Sequence, residues 1–247
     1  MNKPKVGLNA TARVAKNSLV QVVGGVLSKI LGVLLVIYAA RQLGTEGFGL
    51  YSFVLSMLGI FYIFTDFGLG TLATRDLARH PGQEGKYFGN IFLLRLGFSL
   101  LAAVGMVAAV AALGHPAEWV KLTAVAAISL FFTSNIDTCS AIFNAHEHME
   151  IPSMISVIAT MLRVGISLGA LAAGADVLIL IWIFSLASAL QFALSFVLLN
   201  SHIHPQFKVD WSFWKSLLVQ AYPLALANLF SVVYFRIDTI MLASMAG

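Results

Sequence analysis

Residues 19–40, LVQVVGGVLSKILGVLLVIYAA, restrict what this chain can become more than any other stretch. At about 1.5 Å per residue they make a helix of about 33 Å, enough to cross a hydrocarbon core of about 30 Å. Lys29 is the only charge in the run. Gly24, Ser28 and Gly32 recur every four residues and predict a face that packs closely on a neighbouring helix. Lys29 sits near mid-span, where an ionisable group is either a functional site or a structural partner of an aspartate.

Six further runs of bilayer length follow, at 50–72, 88–113, 120–143, 151–173, 177–199 and 221–243. They predict an all-α integral membrane protein of about seven transmembrane helices. Turn and cap residues separate them: Gly44-Thr45-Glu46-Gly47, Pro81-Gly82, Gly114-His115-Pro116, Pro152 and Gly174-Ala175-Asp176. A chain with 59% hydrophobic and 11% charged residues is far from the roughly 25% charge of soluble domains. Its formal net charge of +4 does not signal nucleic acid, because the basic residues lie in the polar gaps and no basic tract interleaves with aromatics. The single Cys139 forms no internal disulfide and matches no zinc pattern. Basic residues precede the first run as in a signal peptide, but the run is too long and lacks a small-residue cleavage site, so it is expected to stay as an uncleaved span.

Placing the N-terminus inside puts Lys3, Lys5, Arg13, Lys16, Arg75, Arg79, Lys86, Lys208 and Lys215 on the cytoplasmic side, against Arg41 and Lys121 outside. That bias predicts a multi-pass protein of the plasma (inner) membrane with a cytoplasmic N-terminus. The expected organisation is a cytoplasmic segment 1–18, a six-helix lobe 19–199, a cytoplasmic linker 200–220 and the first helix of a second lobe, 221–247. In the linker, Asp210-Trp211-Ser212-Phe213-Trp214-Lys215 suits a short helix at the membrane surface, and Pro223 bends or starts the last span. The ending after Met245 reads as cut rather than finished. Span seven echoes the close of the first span, as in transporters built from repeated lobes.

Seven ionisable residues fall inside the predicted spans: Lys29, Asp66, Arg95, Asp137, Arg163, Arg236 and Asp238. At about 2.5–3.5 kcal/mol each, exposing them to lipid costs on the order of 20 kcal/mol, so they face one another or water. Arg95 lies about two turns from a helix end, within snorkelling reach of the interface. Arg163 is near mid-helix, beside a stripe of Gly165, Gly169 and Ala173, and its guanidinium stays charged, which suits an anion in a wet cavity. Arg236 and Asp238, two positions apart, point to nearly opposite sides of one helix and need separate partners. Asp66 and Asp137 are expected to offset Lys29 or Arg163, or to carry a coupling proton. Asn135 lines a cavity or bonds across helices.

Other patterns carry less. His146 with His148, and His202 with His204, lack convergent Cys or carboxylate patterning and read as solvated loop histidines, not metal ligands. Asp66-Phe67-Gly68 copies a kinase signature inside a membrane span, without the rest of that set. An intramembrane phosphotransferase needs several carboxylates around a metal, whereas Asp66 and Asp76 stand alone. A retinal-type receptor needs a lysine in its last helix, and span seven has none. No enzyme activity, metal or cofactor is expected.

Three stretches, SLVQVVGGVLSKILGVLLVIYAARQLGTEGFGLYSF, FTDFGLGTLATRDLAR and AYPLALANLFSVVYFRIDTIMLASMAG, resemble the first helix and loop, the end of the second helix, and the seventh helix of polysaccharide (Wzx-like) flippases. These belong to the superfamily that also holds lipid II flippases and multidrug and toxin extruders. The resemblance implies twelve to fourteen helices in two lobes, of which this chain matches the N-terminal lobe and one further helix. It implies movement of a polyprenyl-diphosphate-linked oligosaccharide from the cytoplasmic to the outer leaflet by alternating access. The expected partners are that lipid-linked oligosaccharide, membrane lipids and other polysaccharide-assembly proteins. On this reading Lys29, Arg163 and Arg236 bind the diphosphate or acidic sugars, with Arg95 nearer the cytoplasmic mouth; Asp66, Asp137 and Asp238 serve coupling or charge pairing. The rival readings are a multidrug extruder, with a carboxylate-rich cavity for cations, and a membrane scaffold in polysaccharide assembly.

Overall fold

The computed structural model describes the backbone of residues 7–201 and 203–246 and the side chains of residues 19–201, 203–227 and 230. The regular elements among them are helices: α1 (Gly7–Asp66), α2 (Leu69–Arg79), α3 (Glu84–Ala112), α4 (Ala117–Ala145), α5 (Glu150–Ala172), α6 (Val177–Asn200) and α7 (Trp211–Ala246). Hydrocarbon offers no water to backbone N–H and C=O groups, and a helix satisfies them within itself. Five of the helices among the described residues are long and apolar enough to cross a membrane, and the first of these holds the expected span 19–40 and most of the expected span 50–72.

The chain reverses inside α1. Gly44 has φ 67° and ψ −176°, backbone angles that are essentially restricted to glycine, and it divides α1 into residues 7–43 and 45–66. The neighbours on each side record the reversal. Gly24 lies against Ser153 and Val157 near the start of α5, whereas Gly47 lies against Val177 at the start of α6. Phe53 packs on His115 in the α3–α4 turn, and Phe61 reaches Gly105 in mid-α3. The turns at 44–47, 113–116 and 173–176 therefore share one end of the bundle, and 80–83, 146–149 and 201–210 share the other. Six crossings alternate in direction between them.

Two expected boundaries move. The second span stops at Asp66 instead of 72, because Phe67 (φ 45°) and Gly68 (φ 72°) both take left-handed backbone and turn the chain into α2. Apolar residues on both sides of Asp66 concealed that turn. α2 is amphipathic, with Leu69, Leu72, Ala73 and Leu77 buried and Arg75 and Arg79 facing out. The short surface helix expected near Trp211 is continuous with the last span in α7, which runs through Pro223. The small-residue stripes are also used only in part. A Cβ on Gly24 would meet Val157 at 3.2 Å, but Gly32, Gly165 and Gly169 face open space.

Burial is inverted relative to a soluble bundle. Ser99, Ser134, Asn135 and Thr138 are buried, whereas Leu100, Leu101, Leu186 and Val197 on the outside are largely exposed. An apolar exterior of this kind is stable in lipid. Apolar clusters close both ends: one joins Leu35, Ala39, Leu50 and Val54 to Leu171 and Val177, and two others gather Leu72, Ile91 and Leu217, and Phe88, Ile142 and Leu199.

Candidate functional site

The polar middle of the bundle is built from side chains spaced to share a helix face. Tyr62 and Asp66 on α1, Arg95 and Ser99 on α3, and Ser134 and Thr138 on α4 each stand four residues apart, with Asp137 beside Thr138. Packing of α1 and α4 around α3 brings the sets together. Arg95 is fully buried, and its Nη2 donates to Asp66 Oδ1 at 2.5 Å. Its Nη1 donates to the Ser134 carbonyl and, at 2.9 Å, to Thr138 Oγ1. Asp66 Oδ2 accepts the Gly68 N–H at 3.3 Å, so the same carboxylate fastens the turn into α2. The Ser99 and Ser134 hydroxyls bond at 3.1 Å. Tyr62 Oη donates to Asp137 Oδ2, tying α1 to α4 a turn away from the Arg95 pair.

Five of the seven ionisable residues marked by the sequence have described side chains. Arg95 does not reach the interface, because its guanidinium is enclosed by α1, α3 and α4. Asp66 is paired with Arg95, not with Lys29 or Arg163. Asp137 is held by Tyr62 and feels Arg95 and Asp66 as its neighbouring charges. Lys29 projects from the exposed side of α1. Arg163 is partly buried, with its guanidinium carbon 5.2 Å from the centroid of the Phe184 ring on α6 and Tyr51 nearby; its Nε has no hydrogen-bond partner. Among the described residues no carboxylate pairs with Lys29 or Arg163. The side chains of Arg236 and Asp238 lie outside the described residues. Asn135 bonds within its own helix, to the Phe131 carbonyl at 2.9 Å. Of the loop histidines, His146 pairs with Glu84 at 3.1 Å and His148 with Glu150 at 3.1 Å, while His202 lies outside the described residues.

Sequence reading missed Tyr62, Ser134, Thr138 and Phe184. The first three were signalled by four-residue spacing to Asp66 or to one another, which places them on the charged faces. Phe184 carried no signal, since one phenylalanine in an apolar helix looks like any other.

Bilayer-length helices packed in alternating directions around a buried arginine and its aspartate define a multi-pass membrane protein, and the same architecture occurs in solved transporters. One is a multidrug-resistance MATE-family transporter of the MOP superfamily in an outward-facing conformation, with a TM-score of 0.73 at 16% identity over 92% of this chain and 55% of the other. Another is a MOP-superfamily transporter from Pyrococcus furiosus, described as having a binding pocket of reversed polarity, with a TM-score of 0.71 at 17% identity over the same shares of 92% and 55%. The chain spans about half the length of these structures. No curated protein matches it. Residues 14–247 match the family described as "Polysaccharide biosynthesis protein", and the chain belongs to that family.

Proposed function

We propose that this chain forms the first lobe of a transporter that moves a polyprenyl-diphosphate-linked oligosaccharide from the cytoplasmic to the outer leaflet of the plasma membrane by alternating access, with its N-terminus in the cytoplasm. The observation that carries the reading is the uneven treatment of the intramembrane cations. Arg95 is neutralised by Asp66, while Lys29 and Arg163, on different helices, have no carboxylate partner among the described residues. An unpaired cation at that depth costs about 2.5–3.5 kcal/mol unless water or an anion meets it, and a diphosphate is such an anion. Arg163 binds oxyanions through its planar fork of donors, and Lys29 adds a point charge. Arg236, on α7, is a third candidate contact on the same reading, with Asp238 available for pairing. Arg95 serves the substrate path from within the wall, by fixing α1, α3 and α4 beside it. Asp66 and Asp137 take the charge-pairing or coupling role.

The test is complementation of a flippase-deficient strain by the complete protein. Arg163→Ala is expected to abolish surface polysaccharide while leaving membrane insertion intact; normal output removes the assignment. Drug resistance on expression, with surface polysaccharide unaffected, points instead to a multidrug extruder. A product that restores neither but co-purifies with other polysaccharide-assembly proteins fits a scaffold.

A further inference from the structure

Residues 203–225 connect the six-crossing bundle to the rest of α7, and a linker in that position is the obvious place for two lobes to hinge. Its contacts argue otherwise. The backbone of the segment lies directly on one face of α3 formed by Gly85, Lys86, Gly89 and Asn90. A Cβ on Gly85 would collide with the His204 carbonyl, and one on Gly89 with the Gln206 carbonyl, so only glycine at both positions admits this approach. The Gln206 N–H donates to the Gly85 carbonyl at 2.9 Å, and the Asp210 N–H to Asn90 Oδ1 at 3.2 Å. Asn90 is buried, and its amide is oriented by a bond to the Lys86 carbonyl. Lys86 Nζ meets Asp210 Oδ2 at 2.9 Å while lying 4.5 Å from the centroid of the Phe213 ring.

The attachment continues into the helix. Leu217 and Ala221 are buried against Leu69, Leu72 and Ile91, and Arg75 on α2 reaches Gln220 at 3.3 Å. At Gly68 a Cβ would meet Leu224 at 2.8 Å and the Ala225 nitrogen at 3.1 Å. Pro223, which removes one helical N–H and would be the natural point of yielding, lies inside this docked stretch.

We propose that residues 203–225 are a fixed strap of the first lobe, and that the articulation between lobes lies beyond Ala225. The inference rests on the transporter reading for its functional consequence, but the docking itself does not. Two measurements on the complete protein separate the two. In flippase-deficient cells, Lys86→Cys with Asp210→Cys is joined by a short membrane-permeant bismaleimide. Surface polysaccharide is expected to stay within twofold of the uncoupled double variant, and a tenfold or greater fall on coupling overturns the proposal. In lipid nanodiscs, spin labels at Val209→Cys and Leu101→Cys are expected to give one narrow distance, unchanged by farnesyl diphosphate. Gly89→Val is expected to broaden that distance, as is Lys86→Met should the valine variant fail to fold. Gly97→Val, facing open space on the same helix, is expected to leave it unchanged. Two resolved distances in the parent, or a valine at 89 no more disruptive than one at 97, overturn the proposal. A parent that makes no polymer removes the transport assignment, and the spin-label result then decides the strap alone.

Discussion

Asp66 and Arg95 meet at 2.5 Å, the one at the point where α1 ends and the other fully buried in α3. A guanidinium enclosed by protein is tolerable only while its carboxylate stays in place. Asp66→Asn is therefore expected to lower stability by about 3–5 kcal/mol, since it strands a buried charge. Replacing both partners, Asp66→Leu with Arg95→Met, is expected to cost less than the single change. Thermal unfolding of the detergent-solubilised protein separates these outcomes; a single variant within about 1 kcal/mol of the parent contradicts the enclosure of Arg95.

Lys29 and Arg163 are expected to differ from Arg95 in the kind of damage their loss causes. Lys29→Gln and Arg163→Gln leave no buried carboxylate behind, so melting temperatures stay near the parent while transport falls. Arg163→Lys is not expected to restore output, because an ammonium cannot reproduce the planar fork or its contact with the Phe184 face. Recovery of full surface polysaccharide with lysine reduces the role of Arg163 to charge alone.

Two glycines distinguish backbone strain from crowding. At Gly44 (φ 67°) nothing lies within 4 Å of an added Cβ, so Gly44→Ala is expected to cost only the conformational penalty, about 1–3 kcal/mol. At Gly68 (φ 72°) the same change adds a collision with Leu224 at 2.8 Å and is expected to cost more. Equal losses at the two sites, read as unfolding midpoints, refute the close seating of α7 on the α2 turn.

The hydrogen bond from Lys86, with help from the Phe213 N–H, holds the Asp210 carboxyl below its ordinary value. A depressed folded-state value means that the pairing contributes fully above the unfolded value, about 3.9, and is lost as pH falls through the lower, folded one. A carboxyl-carbon NMR titration of Asp210 is expected to show a midpoint below about 3.9 that returns toward it in Lys86→Met. An unchanged midpoint in that variant shows that the pair does not form in solution.

What the sequence by itself determined was the solvent and the element. Runs near the length of residues 19–40, almost free of charge, have one low-energy form in lipid, and the short breaks between them place most helix ends. The break at Asp66 escaped because Phe67 and Gly68 continue an apolar run, and hydropathy does not register backbone handedness. The sequence also marked the ionisable residues inside the predicted spans, since each carries a desolvation cost in lipid until a partner or water meets it. Tertiary packing alone decided which of the described cations meets a carboxylate and which does not. Asp66 and Arg95 are 29 positions apart and meet only because α1 folds back at Gly44 and α3 lies beside it. An ion pair depends on a distance of a few ångströms between helices, and no periodicity within a single helix encodes that distance.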